Sequence, residues 1–333
     1  MMTNFRRKIS RVCSIGTIIF CICSLCAACN KDTDEFIPEG GGNIPGNGET
    51  GENGSQLVLL ASKKGSLLSS YTWQDYNTIG LFLTEGMLDR PYLDNKDSYS
   101  NIKATMYAGL WQLEPGPVLL TDEKAIIYAY SPYSRGVNPY AVPVETNTRT
   151  LYMYGTHLKP QISVSKTDNV ASLEMVNAMS IIDVNVRKSE NFRSKAVLQE
   201  IAIEGRNDSI RLPIKGTMDI MTGQISYTGF GHYGMDDLQQ ALPLAYADSV
   251  SYHLTTFPRD NAEGEINLSI TVNGNKLSMP LSAEHDWQAG IRNIYNIIFD
   301  GTDTRIESVY IQPWKDIEIK EGELNDGEGK KDE

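Results

Sequence analysis

Glu265-Ile266-Asn267-Leu268-Ser269-Ile270-Thr271-Val272-Asn273-Gly274-Asn275-Lys276-Leu277-Ser278-Met279-Pro280-Leu281 is the stretch that decides the fold class. Ile266, Leu268, Ile270 and Val272 alternate with polar residues, and Leu277, Met279 and Leu281 alternate on the way back. A period of two places each apolar set on one face of a strand. Asn273-Gly274 between the runs suits a type I′ turn, which needs positive φ at both central residues. The stretch therefore predicts a β-hairpin with one face in a core.

Working outward, the same signals recur. Ile214 to Ile220, a Thr222-Gly223 turn and Ile225 to Tyr227 predict a second hairpin, and Ile291 to Phe299, a turn at Asp300-Gly301 and Ile306 to Ile311 a third. Ile79, Leu81 and Leu83 alternate along one further run, Ile126, Tyr128 and Tyr130 along another, and Ile162 and Val164 along a third. No long helix is expected. Many short strands with frequent turn signals predict an all-β chain of sandwiches or barrels. The polar break Ser165-Lys166-Thr167-Asp168-Asn169 precedes a fresh strand expected over Leu173 to Val186. The expected organisation is an N-terminal β-sandwich domain over 57–166, a C-terminal one over 167–318 and an acidic tail over 319–333.

The amino-terminal end concerns location. Arg6, Arg7, Lys8 and Arg11 precede a 17-residue run from Val12 to Ala28 that ends in small residues, the layout of a secretory signal. Leu25-Cys26-Ala27-Ala28-Cys29 resembles a bacterial lipobox, with Cys26 where Leu is usual, and that resemblance implies an acylated Cys29 after removal of 1–28. The other reading is ordinary cleavage near Ala28 with Cys29 incidental. All five cysteines lie in the first 29 residues, so no disulfide framework is available to the rest of the chain. Each buried methylene of an acyl chain contributes about 0.8 kcal/mol, so two or three chains anchor a protein firmly to lipid without a membrane span. Lys31-Asp32-Thr33-Asp34-Glu35 resembles the signal that sends Bacteroidales lipoproteins to the outer face of the outer membrane; as a bare pattern it is also an acidic start to a linker. Residues 29–56 carry that cysteine and a Gly-rich tether with a reach of roughly 30 Å.

The whole chain has 30 cations and 42 anions, and losing the four signal cations leaves 26 against 42, a net charge of −16. With no basic stripe denser than Lys63-Lys64 or Lys330-Lys331, nucleic acid is not an expected partner. His157, His232, His253 and His285 are scattered, with no His-Glu-x-x-His and no Ca²⁺-loop spacing, so no metal, cofactor or catalytic residue is expected. Glu284-His285-Asp286 reads as a solvated turn. Eleven of the seventeen tyrosines lie between Tyr71 and Tyr154, which suits strands and also suits an aromatic glycan-binding face. Asp208-Ser209-Ile210 and Asp248-Ser249-Val250 resemble an O-glycosylation acceptor.

A further resemblance rests on ordered short motifs. They are Trp73-Gln74-Asp75-x-x-x-Ile79-Gly80-Leu81-Phe82, Tyr99-x-Asn101-Ile102, Gly109-Leu110-Trp111 and Ile127-Tyr128-Ala129-Tyr130-Ser131-Pro132-Tyr133. Then follow Tyr152-Met153-Tyr154-Gly155, Leu281 with Trp287-x-Ala289-Gly290 and Tyr295, and Ile311-x-x-Trp314. In this order they resemble the fimbrillin family of Bacteroidales surface lipoproteins over about residues 57 to 316. The resemblance implies two tandem sandwiches of transthyretin-like topology. It also implies a role as shaft, anchor or tip subunit of type V fimbriae, joined to other subunits by β-strand exchange and supporting adhesion to host or bacterial receptors. Two positions depart from the family pattern. Asn177 stands where a His is common, and Ser69-Ser70 stands where polymerising members are cut at an arginine, the nearest basic pair here being Lys63-Lys64. Leu57 to Ala61 is then either a strand displaced on assembly or simply the first core strand. A stand-alone glycan-binding lipoprotein is the alternative function.

Overall fold

The computed structural model describes residues 54–63, 73–74, 76–146, 150–157, 163–260, 265–281 and 286–313. Cys29, the expected signal, the expected tether as far as residue 53, Ser69-Ser70, Ile162, Glu284, His285, Trp314 and the acidic tail lie outside them. The end of the expected tether is corrected, since Ser55 and Gln56 pair with Leu120 and Leu119 and so belong to the fold. The first strands are β1 (Ser55–Gln56), β2 (Val58–Lys63), β3 (Thr78–Thr84), β4 (Ile102–Tyr107), β5 (Leu110–Glu114), β6 (Leu119–Leu120) and β7 (Ile126–Ser131). Next come β8 (Val142–Glu145), β9 (Met153–His157), β10 (Val170–Asn177), β11 (Ser180–Lys188), β12 (Val197–Gly205), β13 (Pro213–Met218) and β14 (Ile225–Phe230). The last are β15 (Tyr233–Met235), β16 (Gln240–Ala241), β17 (Ser251–Thr256), β18 (Ile266–Val272), β19 (Asn275–Pro280), β20 (Ile291–Phe299) and β21 (Arg305–Pro313). The α-helix among the described residues is one turn, Lys96–Tyr99, whose cap Asn95 accepts at Oδ1 from the Ser98 N–H (3.1 Å). The all-β expectation holds.

All three expected hairpins are present. β18 and β19 pair from Asn267↔Pro280 to Val272↔Asn275, and Asn273 and Gly274 both have positive φ (51° and 79°). Ile266, Leu268, Ile270 and Val272 are fully buried. The strand expected over Leu173 to Val186 is corrected to two: the chain breaks at Ala178-Met179, and β10 and β11 belong to different sheets. β10 follows the polar break at Ser165 to Asn169 yet lies between β2 and β9, so the sheet of the first half takes in residues up to Asn177. Of the strand expected through Ile162 and Val164, Val164 makes a single bridge to Ala125, and Ile162 lies outside the described residues.

The first half is built on a seven-stranded sheet in the order β2-β10-β9-β7-β3-β4-β5. Its edges β2 and β5 come near each other, so the sheet curls around Leu59, Ile79, Leu81, Leu83, Ile127 and Leu173. Its other face is covered too, which is why Phe82 and Tyr130 are as buried as their neighbours. The cover is a three-stranded sheet, β14-β13-β8, that joins one strand of the first half to a hairpin of the second. Val142, Val144, Met218, Ile220 and Phe257 pack there against Phe82 and Tyr130. The β13–β14 turn fits closely: a Cβ on Gly223 would fall 2.1 Å from the Tyr154 ring.

In the second half two sheets face each other, β17-β11-β20-β21 and β15-β12-β18-β19, with β16 also on β12. Ile182, Val184, Leu198, Ile201, Leu268, Ile297 and Phe299 fill the space between. Trp287 is buried with them and donates from Nε1 to the Tyr295 hydroxyl (3.1 Å), as a buried indole requires a partner.

Candidate assembly surface

β2 is the first described strand of the large sheet and its edge. It runs parallel to β10 from Val58↔Val170 to Lys63↔Met175, whereas every other pairing in this sheet is antiparallel. Parallel ladders are slightly weaker per residue. Leu57 and Leu59 point into the core, at 2% and 5% exposure, while Leu60 is 54% exposed. The entry is fixed by Leu57 N–H donating to the Val118 carbonyl (2.8 Å) and Val58 N–H to that of Asn169 (2.9 Å). Asn169 returns a bond from Nδ2 to the Gln56 carbonyl (2.6 Å). On the outer side, Trp73 Nε1 donates to the Ala61 carbonyl (3.0 Å), and Lys63 Nζ sits 5.0 Å above the indole. A cation over Trp contributes about 0.5–1 kcal/mol at an exposed site. Trp73 also meets Trp111 of β5 edge to face, with centroids 5.2 Å apart. An exposed edge is a template for another strand, and here indoles bridge the gap between the two edges.

The remaining expected sites fall in different places. Cys29 is outside the described residues, as are Glu284 and His285. Ser209 is exposed in a turn held by Asn207, and Ser249 is half-buried, donating from Oγ to the Tyr246 carbonyl (2.7 Å). Asn177 ends β10 buried, with its Oδ1 unpartnered. The tyrosines do not make one face. Tyr92 and Tyr130 are fully buried; Tyr76 and Tyr107 form an exposed edge-to-face pair at 6.4 Å; Tyr140 stands apart from them, 40% exposed.

A family model described as fimbrillin-like matches residues 68–314, about three quarters of the chain. The chain belongs to the fimbrillin-like family. Solved structures share the fold of this fimbrillin-like chain. A crystal structure from Bacteroides ovatus, described provisionally as a cell adhesion protein, has 12% identity and a TM-score of 0.57, covering 79% of this chain and 98% of that one. Another from Bacteroides uniformis, described the same way, has 15% identity and a TM-score of 0.55, covering 78% and 99%. Among curated proteins none matches. No helix among the described residues is long and apolar enough to cross a membrane.

The fimbrillin-like fold also assembles polar clusters that sequence spacing did not reveal. Asp183, fully buried in β11, contacts Arg292 of β20 and lies 2.5 Å from Nδ1 of His253 on β17. A buried carboxylate needs such partners, and removing one costs about 3–5 kcal/mol. The available signal was a single Asp inside the apolar run Ser180 to Val186. Arg187 donates from Nη2 to both carboxylate oxygens of Glu307 (2.8 and 2.9 Å), and Tyr246 donates to the same carboxylate (2.7 Å). The hydrogen bonds from Tyr246 and Arg187 hold Glu307 below the usual carboxylate range. Neither cluster has a nucleophile with an activating base, and both read as structural ties across strands.

Proposed function

We propose that this fimbrillin-like chain is a surface lipoprotein that acts by contact and not by catalysis. It serves as a shaft, anchor or tip subunit of a fimbrium and supports adhesion. Acylated Cys29, after removal of 1–28, holds it to outer-membrane lipid, and the Gly-rich segment ahead of β1 lifts the folded part outward. The observation that carries the reading is β2, a parallel edge strand whose inward Leu57 and Leu59 occupy a core that a neighbour's strand would otherwise fill. Strand addition supplies main-chain hydrogen bonds along the edge and alternate side-chain pockets. The Ser69-Ser70 departure supports an anchor, tip or differently processed subunit over a shaft protein cut at an arginine.

Unheated SDS gels of purified fimbriae test this. Oligomer ladders that collapse on boiling are expected, together with palmitate incorporation that is lost in Cys29→Ala. A chain that stays monomeric and unlabelled overturns the reading. Sequencing the amino terminus of assembled protein then separates the two roles of β2, because an intact acylated Cys29 excludes its removal. The exposed Tyr76 and Tyr107 pair, with Leu110 beside it at 55% exposure, favours a second reading, a stand-alone glycan-binding lipoprotein. That reading expects a monomer whose tyrosine fluorescence responds to polysaccharide.

A further inference from the structure

We propose that Glu200, His232 and Asp236 form a site for a divalent transition-metal cation, with Zn²⁺ the ion their chemistry fits. One ligand atom from each lies within 4.8 Å of the other two. His232 Nε2 is already 3.2 Å from Asp236 Oδ1. One imidazole with two carboxylates is a borderline-soft donor set, suited to Zn²⁺ above Ca²⁺ or Mg²⁺, which prefer oxygen alone. Donors around a tetrahedral ion with bonds of about 2.1 Å lie roughly 3.4 Å apart, so the side chains need close by little more than an ångström.

The backbone explains why the three converge. Tyr233 of β15 is buried, and its hydroxyl donates to the Thr255 carbonyl (2.5 Å), while Met235 packs on the same core. Period two then turns His232, Gly234 and Asp236 to the outer face. The register Ala202↔Gly234 sets the two smallest residues opposite each other, and extending it brings Asp236 to Glu200. A Cβ on Gly234 would lie 2.5 Å from the Ile201 carbonyl and 3.1 Å from His232 Nε2, so the centre of the site is clear of side chains only because of glycine. Positive φ at Asp237 (57°) turns the chain back, and Leu238 N–H donates to the Gln199 carbonyl (2.9 Å). Glu200 is oriented in turn by Thr271 Oγ1, which donates to its Oε2 (2.8 Å), the outer support that metal ligands require.

Three protein ligands leave a position for water or an external donor. The bound ion would also fasten the short β15 to β12. Thermal unfolding and calorimetric titration of the untagged full chain in detergent, with ZnCl₂ as the probe, test the site. At a hundredfold excess over Kd, the midpoint is expected to rise by roughly 5 °C and to return with chelator. His232→Ala and Asp236→Asn should each weaken binding at least tenfold, each read against its own metal-free midpoint. Asp303→Asn, at an exposed carboxylate outside the site, should bind as the parent does. No shift in the parent, a shift of full parental size in either ligand variant, or one lost with Asp303→Asn overturns the proposal. An equal response to CaCl₂ overturns it as well.

Discussion

Gly80 and Tyr130 face each other across β3 and β7, and the pair shows how closely the covered side of the large sheet is packed. A Cβ on Gly80 would fall 2.1 Å from the Tyr130 ring. The ring cannot back away, because its hydroxyl lies 2.8 Å from Asn101 Oδ1 and 2.7 Å from the Ser134 carbonyl and accepts from the Ser134 N–H (3.0 Å). Gly80→Ala should therefore cost at least about 3 kcal/mol in urea unfolding, the upper range for an overpacked core. The buried tyrosines also set an alkaline limit. Burial pushes Tyr130 and Tyr295 up to about 12, and Tyr233 higher still. The unfolded chain loses these protons near pH 10. The folded state then holds more protons than the unfolded one, so stability is full below pH 10 and falls as pH rises toward 12. The slope should approach ~1.4 kcal/mol per pH unit for each such group. Urea midpoints measured from pH 8 to 11.5 check the sign, and a flat profile contradicts it.

At the scale of elements, legibility followed locality. The hairpin around Asn273-Gly274 was readable because its turn chemistry and its period of two lie within 17 residues. In Ile126 to Ser131 the alternation marked the strand without marking one core face: Ile127 and Ala129 face the curled core while Tyr130 faces the three-stranded sheet, so both faces are covered. The parallel docking of β2 on β10 left no local trace, nor did the departure of β8 to pair with β13. Edges are chosen by distant partners. The Glu200, His232 and Asp236 cluster was hidden for the same reason, since it exists only through the β12–β15 register. Trp73 tests the edge itself. Trp73→Ala removes the bond to the Ala61 carbonyl, the platform under Lys63 and the bridge to Trp111. Amide hydrogens of Val58–Lys63 should exchange at least tenfold faster, read by mass spectrometry, with those of β18 unchanged.

Across the whole molecule, the three-stranded sheet makes the halves depend on each other. A fragment ending at 166 lacks β10, which joins edge strand β2 to the rest of the main sheet, and β13 and β14 from its cover. A fragment starting at 167 exposes Met218, Ile220 and Phe257, which otherwise pack on the first half. Neither fragment should fold alone; each should bind a hydrophobic dye and lack near-UV dichroism. The intact chain should unfold in a single calorimetric transition. Two separated transitions, or a folded 57–166 fragment, would contradict this.

The pairing of Val58 with Val170 spans 112 positions, and that of Val144 with Gly216 spans 72. Such distant closures make folding slow, because loop entropy is lost before the contacts that reward it form. A ribosome delivers the amino end first, so Leu57 and Leu59 emerge long before β10 exists to receive them. The barrel-like half cannot close until residue 177 has been made, nor gain its outer cover until residue 230. Through most of synthesis the polypeptide thus stays an open thread, the state in which a narrow translocation pore can pass it.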